Sequence, residues 1–250
     1  LRVSYGRNPA LAGLDASIPS GSVVGVLGEN GSGKSTFLKS LARIVAPTGG
    51  EILFEGRRLE RLPRRETARR VAYVPQSADL VFSIPCLDLV LQGRAPHHRG
   101  FSADTPEDRD RALEAMRACD VADLALRDAS AISGGERRRV FLARALAQEA
   151  DVWLLDEPTS GLDPRHRFDF LEVLLREHST RGTTVLLVTH EIDLAAELAD
   201  RILLLREGRT LASGTPAEAL TPETIREAFD VRASVRRSGG RTEVTLEGRI

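Results

Sequence analysis

The chain has 250 residues, enough for one large domain or two small ones around a substantial core. A formal net charge of -1 and a pI near 6.6 argue against a protein that lives on nucleic acid or anionic lipid through bulk charge. No apolar run approaches the ~18 residues needed to cross a bilayer, and Leu1-Arg2-Val3-Ser4-Tyr5-Gly6 lacks the apolar core of a secretion signal, so a chain soluble by itself is expected.

Short β-like runs open the chain at Arg2 to Tyr5, Ser17-Ile18-Pro19 and Gly50 to Gly56, and together they suggest a small antiparallel sheet. Val23 to Leu27 is an apolar run of the kind found in buried parallel strands, and Ser35 to Ala42 reads as a helix. Val71 to Val74 is the next strand and ends at Pro75-Gln76. A helical insert is then expected from about residue 78 to 150. It includes a helix from Thr105 to Cys119, opened by Thr105-Pro106-Glu107, and another in the segment Gly134 to Ala150, whose arginines at 137, 138, 139 and 144 are expected on a solvated face. Core strands return at Val152 to Leu155 and Thr183 to Val188, with the helix Arg165 to His178 between them. Ile202 to Leu205 and Thr210-Leu211 are expected to form a hairpin around Glu207-Gly208, and Val231 to Val235 with Thr242 to Leu246 another around Ser238-Gly239-Gly240. Strands alternating with helices imply an α/β fold with a mostly parallel sheet covered on both faces.

The chemistry concentrates in a few places. Gly28-Glu-Asn-Gly-Ser-Gly-Lys-Ser35 has the Gly-x4-Gly-Lys-Ser spacing of a phosphate-binding loop, where glycines let backbone N–H groups turn toward a triphosphate. It follows a strand and opens a helix, whose N-terminus adds a positive dipole end. Gly28, Asn30, Gly31, Ser32, Gly33, Lys34, Ser35 and Thr36 are therefore candidate nucleotide contacts, with Lys34 neutralising the β- and γ-phosphates. Val152-Trp-Leu-Leu-Asp-Glu157 places two carboxylates at the C-terminal end of a core strand, the edge where open parallel sheets bind ligands. Asp156 is assigned to Mg²⁺, with Ser35 as a further ligand, and Glu157 to the attacking water.

With Ser133-Gly134-Gly135-Glu136 added, the chain resembles the nucleotide-binding subunit of an ATP-binding cassette (ABC) transporter over essentially its whole length. Ile132 stands where that family usually has leucine. The resemblance implies a P-loop core with an antiparallel β-subdomain (1–77 and 151–250) and an inserted helical subdomain carrying the signature (78–150). It implies that Gln76 contacts Mg²⁺ or the attacking water and that His190 contacts the γ-phosphate. Tyr5 would stack on adenine, and Ser160 to Asp163 would cross between paired cassettes. Two copies would pack head to tail, each ATP lying between one phosphate loop and the other copy's Ser133, Gly134 and Gly135. Separate transmembrane permease subunits would dock near Gln76 and the stretch Ser77 to Pro96, and the chain would sit peripherally on the cytoplasmic face of the cell membrane.

Tyr73 to Gln76, Val90 to His97 and Ala143 to Gln148 resemble importer cassettes for iron-siderophores, haem and vitamin B12, which implies a substrate-binding protein in the same system. The alternatives are a cassette of another ABC system, for a free metal ion or for export, or a soluble cassette protein acting on DNA or ribosomes; the charge balance and single cassette disfavour the last, and no nucleic-acid partner is expected. His97-His98 lacks a spaced third ligand and is not read as a metal site, and His166 and His178 are read as solvated helix residues. Cys86 and Cys119 show no metal or disulfide spacing and fit a reducing compartment. Only Lys34 and Lys39 are lysines, and the lack of an initiator Met suggests that part of the first strand is missing.

Overall fold

The computed structural model describes residues 1–76, 82–98, 103–239 and 241–249. The expected docking stretch from Ser77 to Pro96 and the start of the helical insert at 78 thus lie partly outside the described residues, as does Gly240 of the last turn. The chain divides into two compact units. The first comprises Leu1–Leu62, Leu154–Glu157 and Thr184–Ile250, and the second Pro63–Trp153 and Pro158–Thr183. Strands β1 to β12 and helices α1 to α9 are numbered along the chain.

The first unit is built on a sheet in the order β10-β9-β3-β8-β7. Strands β3 (Val23–Leu27) and β8 (Thr184–Val188) are buried at every position, in keeping with their mainly apolar runs. β3 runs parallel to β8 and to β9 (Arg201–Arg206), and β9 turns back antiparallel into β10 (Arg209–Gly214). The turn is the expected Glu207-Gly208 pair, both left-handed, which matches the twist of a tight hairpin. Only the last residues of β7 (Val152–Asp156) belong to this unit. Helix α7 (Ile192–Leu198) lies against β3, and Gly25 permits the approach: a Cβ there would stand 3.1 Å from the Ala195 methyl and 2.9 Å from Ile202. Helix α1 (Lys34–Leu41) follows β3 directly.

Around this core stand three two-stranded antiparallel sheets. They pair β1 (Arg2–Tyr5) with β2 (Asn8–Ala12), β4 (Leu53–Phe54) with β5 (Arg57–Arg58), and β11 (Val231–Ser238) with β12 (Arg241–Arg249). Short helices α8 (Pro216–Ala219) and α9 (Pro222–Phe229) precede the last hairpin. The structure corrects two sequence expectations here. Ser17-Ile18-Pro19 is irregular, because Pro19 cannot donate to a ladder and these residues have no face to bury. The Gly50 to Gly56 strand shrinks to two residues, since Glu55 and Gly56 both turn left-handed and send the chain back as β5.

The second unit is mostly helical. It contains α2 (Arg64–Arg70), β6 (Val71–Val74), α3 (Cys86–Leu91) running into a 3-10 stretch (Gln92–His97), α4 (Pro106–Ala118), α5 (Gly134–Ala147) and α6 (Pro164–Arg181). Helices α3, α4 and α5 pack on one another through Leu87, Val90, Ala112, Met116, Val140 and Leu142, all buried. Helix α4 starts where the sequence placed it. Thr105 accepts from the Asp108 N–H, Asp108 accepts from the Thr105 N–H, and Pro106 occupies the first helical position. Asp163 caps α6 by accepting from the His166 N–H, and left-handed Gly182 ends it.

Three of the four α5 arginines contradict the expectation of a solvated face. Arg139 is buried and reaches Asp120, and Arg137 donates to the carbonyls of Ala129, Ser130 and Ile132. Arg144 is half-buried and bonds a backbone carbonyl of β6. A guanidinium with five donors can satisfy otherwise orphaned carbonyls, a use that periodicity along the helix cannot reveal. The histidines are likewise engaged. His98 pairs with Asp108, His97 with the Gln148 carbonyl, His166 with Asp163, and His178 with the Thr183 carbonyl. Among the described residues no cluster of ligands suits a metal ion, and no helix is long and apolar enough to cross a membrane. Both cysteines are buried thiols, and burial pushes Cys119 up to about 12.

Candidate functional site

The C-terminal ends of β3, β7 and β8 carry the residues that the sequence singled out in the first unit. The loop after β3 is shaped by what surrounds it. At Gly28, with φ of 146°, a Cβ would lie 2.3 Å from the Leu205 carbonyl oxygen and 2.7 Å from Ser32 Oγ, so only glycine fits. Gly31 (φ 83°) and Gly33 (φ 100°) continue the left-handed path, and the Ala10 carbonyl stands directly behind Gly33. Gly33 is the N-cap of α1. It supplies no capping side chain, and the first turn of α1 contains no acid. The amide donors of this helix start are thus left to an anion.

Lys34 is buried, and its Nζ donates to the carbonyls of Gly28 and Glu29 at 2.7 and 2.8 Å. Burial lowers its pKa, while the charges of Glu157, Asp156 and Glu29 pull the other way. Ser32 Oγ is buried with no hydrogen-bond partner among the described residues, an orphan that a phosphate oxygen would satisfy. Ser35 Oγ donates to Asp156 Oδ1 at 2.9 Å, joining positions 121 residues apart. Asn30 is exposed at the loop tip, and Thr36 is half-buried in the first turn of α1.

Asp156 ends β7 with 2% exposure, and Glu157 follows in a left-handed conformation, φ 48°, that costs a non-glycine residue about 1 kcal/mol or more. The Glu157 N–H donates to the Val188 carbonyl at 3.0 Å, which anchors the turn to β8. Its carboxylate lies 3.6 Å from His190 Nδ1, and the His190 ring is half exposed. A strained acid held beside a histidine, next to a buried acid on a serine hydroxyl, is an arrangement that stability alone does not call for. Sequence reasoning missed Thr189. It is buried, and its Oγ1 accepts from the Glu191 N–H at 3.0 Å, which fixes the turn that presents His190; a threonine directly after a strand is the local signal for such a turn.

Tyr5 lies at the end of β1 with 52% exposure, so its ring does not serve core packing. The remaining predicted residues belong to the second unit. Gln76 is exposed just beyond β6, and it borders a cavity of about 380 Å³ together with Gly134, Gly135, Arg138, Phe141 and Gly161. Ser133 is the N-cap of α5. Its hydroxyl accepts from the Glu136 N–H, the Glu136 carboxylate accepts from the Ser133 N–H at 2.8 Å, and these bonds lower the Glu136 pKa.

A phosphate loop, two strand-end acids and a capped Ser-Gly-Gly-Glu helix start define a nucleotide-binding cassette, and the chain belongs to the ABC transporter family, whose profile matches residues 11–160. It is 42% identical over 94% of its length to the cobalamin import ATP-binding protein of Halobacterium salinarum, of which it spans only 58%. It is 44% identical over 92% of its length to the hemin import ATP-binding protein of Streptomyces coelicolor, covering 81% of that protein. Among solved structures it resembles a metal-chelate-type ABC transporter in an inward-facing conformation, with a TM-score of 0.79 and 28% identity over 95% of this chain and 91% of that one. It also resembles a dimeric bacterial ABC transporter cassette, with a TM-score of 0.76 and 29% identity over 86% of this chain and 95% of that one.

Proposed function

We propose that this chain is the ATP-hydrolysing subunit of an importer for metal chelates of the iron-siderophore, haem or cobalamin kind. The observation that carries the reading is the grouping, in the first unit, of buried Lys34, the Ser35–Asp156 pair and Glu157 with His190 at 3.6 Å. Lys34 and the amides of residues 31 to 36 bind the phosphates, and Ser32 adds its unpaired hydroxyl. Ser35 and Asp156 offer adjacent hard oxygen atoms, a donor set that suits Mg²⁺, and Gln76 is assigned a further contact to it on family resemblance. When bound there, Mg²⁺ would neutralise charge on the phosphate oxygens. Glu157 accepts a proton from the water that attacks the γ-phosphorus, the bond to the bridging oxygen breaks, and ADP and phosphate leave. His190 orients the γ-phosphate from the neighbouring end of β8, and Tyr5 offers its exposed ring to adenine.

The same reading makes the chain a single ATP-binding domain with a nucleotide core at 1–77 and 151–250 and a helical subdomain at 78–150. Ser133, Gly134 and Gly135 would complete the site of a second copy, as the likeness to a dimeric cassette supports. Permease subunits and a substrate-binding protein would complete the system, with this chain on the cytoplasmic face of the membrane. Purification of the tagged chain from its native membranes in mild detergent, followed by mass spectrometry, tests this. Recovery of a polytopic membrane subunit with a substrate-binding protein encoded beside it supports the importer. Recovery of ribosomal or chromosomal proteins overturns transport while leaving the ATPase chemistry standing.

A further inference from the structure

The three stretches that resemble metal-chelate importer cassettes, Tyr73 to Gln76, Val90 to His97 and Ala143 to Gln148, meet in the second unit at the last turn of α5. The carbonyls there have no successor in the helix and need other donors. Arg94 Nη1 donates to the Ala147 carbonyl at 2.8 Å, and His97 Nε2 pairs with the Gln148 carbonyl at 2.9 Å. Gly93 lies so close that a Cβ would stand 2.3 Å from the Arg144 carbonyl oxygen. On the side facing β6 the direction reverses, and the helix donates. Gln148 Nε2 reaches the carbonyls of Ala68 and Val71 at 2.6 and 2.9 Å, and Arg144 Nη2 reaches that of Tyr73 at 3.1 Å.

Arg144 is the unusual member. Among the described residues no carboxylate pairs with it, and its guanidinium lies over the Phe141 ring, 4.8 Å from the centroid. Burial lowers its pKa, so the charge is kept at a cost. An arginine held by a ring face and one carbonyl serves geometry rather than charge balance. Phe141 borders the same cavity as Gln76, Gly134 and Gly135, and Tyr73 is three residues before Gln76. We propose that Arg144 is a positioning residue for Gln76: by fixing the Tyr73 carbonyl and the Phe141 ring, it sets the course of the backbone into Gln76 relative to Gly134 and Gly135 at the other end of α5. This rests on the reading that Gln76 contacts Mg²⁺ or the attacking water.

The test is a double-mutant cycle on the protein purified from its native membranes, with ATPase kcat, KM and thermal midpoint measured for Gln76→Ala, Arg144→Gln and the pair. A Glu157→Gln control without turnover certifies that the activity belongs to this chain. Arg144→Gln is expected to lower kcat about tenfold with KM for ATP within about twofold, and to add nothing to Gln76→Ala. Arg144→Lys, which keeps the charge but loses the planar fork, should recover only part of the rate. Losses that multiply in the double variant, or an unchanged kcat in Arg144→Gln, overturn the positioning role while leaving Gln76 in place. A Gln76→Ala protein with full kcat removes Gln76 from the chemistry and the proposal with it. Should Arg144→Gln not fold, the cycle with Arg144→Lys carries the same requirement of non-additivity.

Discussion

Two helix N-termini in this molecule face the same physical problem and meet it in opposite ways. Helix α1 begins at left-handed Gly33 with no capping side chain, no acid in its first turn, a buried lysine and, among the described residues, an unpaired buried hydroxyl at Ser32. Helix α5 begins at Ser133 inside a closed capping box, with the Glu136 carboxylate on the Ser133 N–H. The first end is short of an anion, whereas the second has met part of its own need and offers glycine backbone at an exposed edge. A cradle that binds by itself and a surface that engages only what another molecule presents are the expected products of these two designs.

The largest effect tests whether the first end performs chemistry as well as binding. Glu157→Gln should lower turnover by about 10²–10⁴-fold with ATP affinity kept, and should accumulate an ATP-bound dimer; steady-state ATPase and size-exclusion measurements check it. Full turnover in that variant would remove Glu157 from proton abstraction. Next comes the second end. Ser133→Arg should leave nucleotide binding by the isolated chain within about twofold yet abolish ATP-induced dimerisation, read by light scattering. A variant that still dimerises with ATP would break the head-to-tail arrangement.

A subtler effect follows from the buried cation. Burial holds the Lys34 pKa below its ordinary 10.5 in the folded, nucleotide-free protein. Between the two values the unfolded chain binds more protons than the folded one, so stability should rise with pH across that window. Urea midpoints measured on approach to pH 10.5 should show the rise, and Lys34→Met should flatten it. The smallest effect concerns Tyr5, whose half-exposed ring is proposed to stack on adenine. Tyr5→Ala should weaken ATP binding by about 1 kcal/mol, or about fivefold, in calorimetric titration, with turnover at saturation unchanged.

Much of the first site was legible because its signals are local. The Gly-x4-Gly-Lys-Ser spacing announces a loop whose glycines permit left-handed backbone, and an apolar run before the loop with a helix after it fixes which sheet edge the loop occupies. Thr105 and Ser133 announced helix starts for the same reason, since a cap bonds within three residues of itself. The failures turned on pairing that local composition does not show. Ser17-Ile18-Pro19 has the composition of a strand but no partner, and Asn8–Ala12, interrupted by Pro9, became one by pairing with β1.

What the sequence by itself determined was therefore the short-range chemistry: the loop that binds phosphate, the strand end that holds two acids, the caps, and from their order the family. Only the tertiary structure decided which charges are buried. The pairing of Ser35 with Asp156, the wall that the Leu205 carbonyl makes behind Gly28, and the burial of Arg94 between Asp108 and Glu149 join residues far apart along the chain. The use of Arg144 by the strand leading to Gln76 belongs with them. A side chain's dihedral preferences are written beside it, whereas the cost or use of its charge depends on whichever neighbours the fold brings near.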